Sequence, residues 1–162
     1  MQIYNVNGAY GPAARRHIRI VETAVQVRLG PMNNKELGAL GEKVATSYLK
    51  NKGYKILDQN YFSKFAFSPL RGEIDIVAKK EDIIIFIEVK ALINNKQNLT
   101  LPVAPEEKVN FWKQKKIIKI AESWLMKNKI SFNSKWQIDV ISIIFDFDNK
   151  KAKIRHFKNI IF

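Results

Sequence analysis

Residues 83–89 hold six side chains that are all β-branched or aromatic, and a single charge, Glu88. A strand this apolar suits a central position in a sheet, buried on both faces. Upstream, residues 73–78 alternate, with Ile74, Ile76 and Ala78 on one side and Glu73, Asp75 and Val77 on the other. Residues 79–82 are a polar turn, so the two strands are predicted to form a hairpin.

The remaining elements follow from period and punctuation. Asn33 or Asn34 caps a helix running to residue 51, with Leu37, Leu40, Val44, Ala45, Tyr48 and Leu49 at helical spacing and Gly53 past its end. Residues 54–57 form a short strand, and residues 59–71 a loop that ends at Ser68-Pro69 and Gly72. A polar connection, 94–105, leads into a helix over 106–128. Strands over 136–145 and 152–157 complete the chain. The order helix, three strands, helix, two strands makes a mixed α/β domain, and 162 residues suit one such domain.

Residues 1–31 contain Arg15, Arg16, Arg19 and Arg28 but no lysine, whereas 22 lysines and only Arg71 and Arg155 follow from Met32. We expect residues 1–31 to lie outside the fold, as a leader, and residues 32–162 to form the domain. The body still holds 24 bases against 14 acids, within a whole-chain charge of +13. Such an excess points to a polyanionic partner, DNA first. No apolar run approaches the ~20 residues of a spanning helix, so no membrane partner is expected. The first segment lacks the apolar core of a secretory signal, and we expect a cytoplasmic protein. Cysteine is absent, which excludes a disulfide framework and a thiolate zinc site, and there are only two histidines. A homo-oligomer is compatible with the sequence but not required by it.

Glu88 and Lys90 are two apart on a strand and therefore share a face. They end an apolar run, where charge is costly unless it has a partner or a task. Asp75, on the neighbouring strand, can face them. Two carboxylates beside an ammonium suit a hard divalent cation such as Mg²⁺. The plainer alternative is a strand-edge ion pair with a surface aspartate. Lys108, Lys113, Lys115, Lys116 and Lys119 fall in a helical stretch with no acid between Val109 and Ala121. They form a candidate surface for nucleic-acid phosphates. Phe62, Phe65 and Phe67 are loop aromatics that either stack on bases or cover an edge of the core.

An Asp on one strand with Glu-x-Lys on the next resembles the PD-(D/E)xK nuclease superfamily. The fuller text, Gly72-Glu73-Ile74-Asp75 with Phe86-Ile87-Glu88-Val89-Lys90, is similar to the YraN-like family of predicted endonucleases. Further matches lie upstream in Gly38-x-x-Gly41-Glu42-x-x-Ala45-x-x-Tyr48-Leu49 and Gly53-Tyr54-x-Ile56-Leu57-x-x-Asn60. Downstream they continue in Lys113-Gln114, Ala121-x-x-Trp124-Leu125 and Ile138-Asp139-Val140. The resemblance implies a restriction-endonuclease-like core, a mixed sheet flanked by helices. It implies Mg²⁺ or Mn²⁺ held by Asp75 and Glu88 with Glu42 joining, and Lys90 serving the attacking water or the transition state. Gln114 and Glu73 have supporting roles. Gly38 and Gly41 beside Glu42 make sense if the helix backbone passes close to the sheet. The chain departs from the family at Leu92, Gln137 and Phe62, where arginines are usual. The expected function is Mg²⁺-dependent hydrolysis of DNA phosphodiesters, with branched or damaged DNA among the candidate substrates. The alternative is a non-catalytic nucleic-acid-binding module that keeps the fold.

Overall fold

A computed structural model describes residues 20–26, 33–62, 72–94, 111–149 and 151–160, with the backbone alone for 20–26 and 111–114. Six strands and two helices follow the order β1 (Ile20–Gln26), α1 (Asn34–Asn51), β2 (Lys55–Phe62), β3 (Glu73–Lys80), β4 (Ile83–Ile93), α2 (Phe111–Lys127), β5 (Trp136–Asp146) and β6 (Lys151–Phe157). They form one sheet in the order β1-β6-β5-β4-β3-β2. The β4–β5 pair is parallel, bridged by the connection that contains α2, and the other pairs are antiparallel.

The sheet is mixed and covered on both faces, as the apolar run in β4 requires. Ile85 and Ile87 join Leu37, Ala45, Tyr48 and Leu49 of α1 with Ile141 and Ile143 of β5. Their neighbours Ile84 and Phe86 join Ile117, Ile120, Ala121 and Trp124 of α2 with Ile138 and Val140. Alternation along β4 and β5 thus places α1 and α2 on opposite faces. Among the described residues no helix is long and apolar enough to cross a membrane.

Helix α1 starts as its sequence predicts. Asn33 Oδ1 accepts from the Lys35 and Glu36 amides at 3.0 Å, and Glu36 Oε2 accepts from the Asn33 amide at 2.9 Å. This reciprocal cap satisfies donors that a helix start leaves open. Past the other end, Gly53 takes φ +79, a left-handed conformation that glycine adopts without steric cost.

Three expectations need correction. Strand β2 continues to Phe62, through part of the expected 59–71 loop. A register shift between Ile56 and Asp58 interrupts the alternation that would have marked a strand, and Asn60 adopts φ 52. Residues 63–71, including Phe65 and Phe67, lie outside the described residues, as does the expected helix start at 106. The second correction concerns residues 1–31. Residues 20–26 form β1, which pairs antiparallel with β6 from Ile20↔Phe157 to Gln26↔Lys151. Backbone pairing needs no match of lysine or arginine usage, so the shift in composition carried no information about this strand. Third, the sides of β3 do not follow its period. Ile74 and Val77 pack on the α2 side, Ile76 and Ala78 on the α1 side, so alternation fails between Ile74 and Ile76. Asp75 occupies that fault.

Candidate active site

The β3–β4 ladder runs from the turn to Ile76↔Ile87. Beyond that pair, Asp75 Oδ2 accepts from the Val89 amide at 2.5 Å. A side chain thus takes a donor that would otherwise serve a ladder carbonyl. On β4 the α2-facing row continues from Ile84 and Phe86 to Glu88, Lys90 and Leu92. Phe86 is wholly buried, Glu88 is 9% exposed and Leu92 is 38% exposed. Helix α2 therefore covers the first half of the row, and Glu88 stands at the edge of that cover. The Lys90 ammonium contacts the Glu88 carboxylate directly.

Two other negative side chains act on Asp75. Burial pushes its carboxyl up to about 7, the charge of Glu88 adds to this, and Glu42 adds further; the Val89 amide and Lys90 pull in the other direction. Desolvated like charges held this close are relieved by a proton or by a cation. Asp75 and Glu88 offer hard oxygen donors, and Mg²⁺ needs only one or two carboxylates, with water and substrate oxygens completing its octahedron. The donor set fits such an ion on that ground.

Among the described residues no three His, Cys, Asp or Glu side chains form a group that could hold a metal. The three-carboxylate set of Asp75, Glu88 and Glu42 is therefore not assembled as a closed cage. Glu42 is half-buried on α1, which packs against the far face of β4, and reaches Asp75 through its charge. Its neighbour Gly41 fulfils the glycine expectation: an added Cβ would come within 2.7 Å of Ala91 Cβ. Gly38 does not, since a Cβ there would meet nothing within 4 Å.

Glu73 is exposed and stands opposite Phe62 in register, at the outer end of β3. Gln114 and Lys113 belong to α2, but their side chains are outside the description, and Lys108 is outside the described residues. Lys115 and Lys119 are exposed on α2 and Lys116 is half-buried. Lys116 lies across Gly72 at the head of β3, where an added Cβ would come within 2.3 Å of its Cε.

Sequence reading missed one buried polar group. Asp139 Oδ2 and His156 Nε2 are 2.8 Å apart, with the two residues 0% and 1% exposed. Asp139 Oδ1 also accepts from Gln137 Nε2 at 2.7 Å and from the Asn159 amide at 2.8 Å. The Tyr48 and Tyr54 rings pack at 5.8 and 6.0 Å from the His156 ring. Burial pushes both phenols up to about 12, and the charge of Asp139 contributes to each. The available signal was an acid in the middle of an apolar strand; nothing in the sequence paired it with His156.

Comparison with known proteins adds a lineage. The model of the uncharacterised protein family UPF0102 matches residues 41–143. A UPF0102 protein of Clostridioides difficile is 44% identical over 128 residues, which span 79% of this chain and 98% of that protein. One from Alkaliphilus oremlandii is 39% identical over 126 residues, 78% of this chain and 97% of that protein. One from Clostridium tetani is 44% identical over 126 residues, covering 78% and 93%.

Proposed function

Because the chain belongs to the uncharacterised protein family UPF0102, whose name carries no activity, we propose its function from the site: a Mg²⁺- or Mn²⁺-dependent nuclease that hydrolyses DNA phosphodiesters on a restriction-endonuclease-like core. The observation that carries this reading is the meeting of Asp75, Glu88 and Lys90 where the β3–β4 ladder stops, with the Asp75 carboxyl raised by burial first and by the charge of Glu88 second. Such perturbed groups cluster where chemistry is done.

In this reading Asp75 and Glu88 would hold the ion, with Glu42 reinforcing the negative field. A bound divalent ion supplies Lewis acidity and a lowered pKa for water. Asp75 is fixed by the Val89 amide, so its second oxygen has a defined direction. Lys90 is on the exposed half of its row, tethered to Glu88, with its side chain 42% exposed. It would donate to a non-bridging phosphate oxygen as negative charge grows during attack, the moment at which a fixed cation is most useful. Water adds to phosphorus, one P–O ester bond breaks, and the leaving oxygen takes a proton. Lys115, Lys116 and Lys119, on the helix covering the same face, would hold flanking phosphates.

The test is incubation with linear, nicked, single-stranded and four-way DNA, with and without Mg²⁺ or Mn²⁺, using wild type and Asp75→Ala. Metal-dependent cleavage by wild type alone is the expected result. A second reading, a binding module without catalysis, is favoured by the exposed apolar Leu92 beside the site and by Lys90 being engaged with Glu88. Salt-sensitive binding of DNA with no cleavage under any of these conditions would select it.

A further inference from the structure

Among the described residues, the α2 side of the sheet is covered at one end of the strands and more exposed at the other. Along β5, Ile138, Val140 and Ser142 are buried on this side, then Ile144 and Asp146 become half-exposed. Along β4 the same progression passes from Phe86 through Glu88 to Lys90 and Leu92. Strand β6 obeys the same parity. Ala152 and Ile154 pack on the α1 side and Phe157 on the α2 side, which places Lys153 and Arg155 on the α2 side as well.

Register then aligns these positions into rows. Lys90 pairs with Ser142, and Ser142 pairs with Arg155. In the next row, Leu92 pairs with Ile144 and Ile144 with Lys153. Lys153 is exposed and Arg155 half-buried. Neighbouring strands lie about 4.8 Å apart, so Lys90 and Arg155 are separated by about 10 Å across β5. The row ends on β1, whose Glu22 stands opposite Arg155 in register. On the other side of the carboxylates, Lys116 lies over Gly72 at the head of β3. Cations therefore flank Glu88 in both directions across the strands. Exposed Leu92 and half-exposed Ile144 continue the Lys153 row as an apolar floor beside Lys90.

We infer that Lys153 and Arg155 form a phosphate-binding track that continues the active-site row from Lys90 across β5 to β6. The ligand is the phosphodiester backbone of nucleic acid, running across the strands of the sheet. The inference rests on the nuclease reading for its central position, and it adds β6 to the phosphate-contacting elements β4 and α2. Arginine suits such a position because its planar fork can take two phosphate oxygens together.

The experiment measures binding of the full chain to a fluorescent single-stranded oligodeoxynucleotide and to its duplex, by anisotropy, with chelator present and at several salt concentrations. Lys153→Ala/Arg155→Ala should bind more weakly and show a salt slope shallower by about 1.4 on the single strand, two contacts at about 0.7 each. Arg155→Lys, which keeps the charge, should restore roughly half of that loss when combined with Lys153→Ala. A larger effect on the single strand identifies an unpaired strand as the ligand, and an equal effect on both identifies duplex. Thermal melts of each variant separate lost binding from lost fold, and Lys153→Ala alone, at an exposed position, provides a variant with an intact core. If wild type binds and the double variant binds with the same affinity and slope, the track is wrong while the nuclease reading stands. If wild type binds neither ligand, the track fails, while the nuclease reading is decided by the cleavage test.

Discussion

Asp75 is a carboxylate in a place that disfavours its charge. Its folded-state pKa, about 7, lies above the ordinary 3.8, so its contribution to stability is fully present below about pH 4 and is lost as pH rises through 7. A rise of that size corresponds to roughly 4 kcal/mol. Without divalent ions, Asp75→Asn should therefore melt higher than wild type at pH 8 and nearly equal to it at pH 4; calorimetry should find its Mn²⁺ binding lost. Asp139 presents the opposite case, a buried acid with its partners in place. Asp139→Ala would strand His156, Gln137 and the Asn159 amide, and we expect a loss of about 3–5 kcal/mol in urea unfolding. The two acids also differ in how visible they are in sequence. Asp75, Glu88 and Lys90 stand out because charge interrupts apolar strands and their spacing is local. Asp139 stands out equally, but His156 is on another strand and only the fold brings the two together.

At the scale of elements, α1 and β4 meet through a missing side chain. Gly41→Ala would press a methyl group against Ala91 Cβ at 2.7 Å, and neither methyl can rotate away. The helix must shift, at a cost of about 1–3 kcal/mol, carrying Glu42 with it. Gly38→Ala, in open space on the same helix, should stabilise by up to ~1 kcal/mol. Denaturant titrations of the pair check the contrast in sign. Elements with a strong period and clear ends were legible: α1 has both caps written in its sequence, and β4 could only be a covered strand. Strand β2 was legible only at its start because the shift after Ile56 exchanges its faces. The fault at Asp75 was hidden for a related reason, since the period that identifies β3 assigns sides on the assumption that the strand is regular.

For the molecule as a whole, β1 closes one edge of the sheet. Its seven residues pair along all of β6, whose register is unbroken on both sides. The opposite edge, β2, protects itself with a bulge and a left-handed Asn60. Deleting residues 1–31 should lower the melting temperature by several degrees, since each 1 kcal/mol is worth about 2–4 °C in a domain of this size. It should also promote association through the bared edge of β6, visible in sedimentation velocity. An unchanged melting temperature with a monomeric product would show that β1 contributes little.

The single parallel step in the sheet divides the site by order of assembly. Asp75 and Glu88 belong to β3 and β4, joined by a two-residue turn, so hairpin closure can bring them together within microseconds. Ser142 and Arg155 arrive only after β5 docks on β4, across the 42 residues 94–135. Closing that longer loop costs roughly 2–3 kcal/mol more entropy than closing the turn. The carboxylates are thus placed before the surface that would lead a phosphate backbone to them. Pulse-labelling hydrogen exchange should show the amides of β3 protected before those of β6, and a nascent chain should bring Asp75 and Glu88 together before it presents Arg155 beside them.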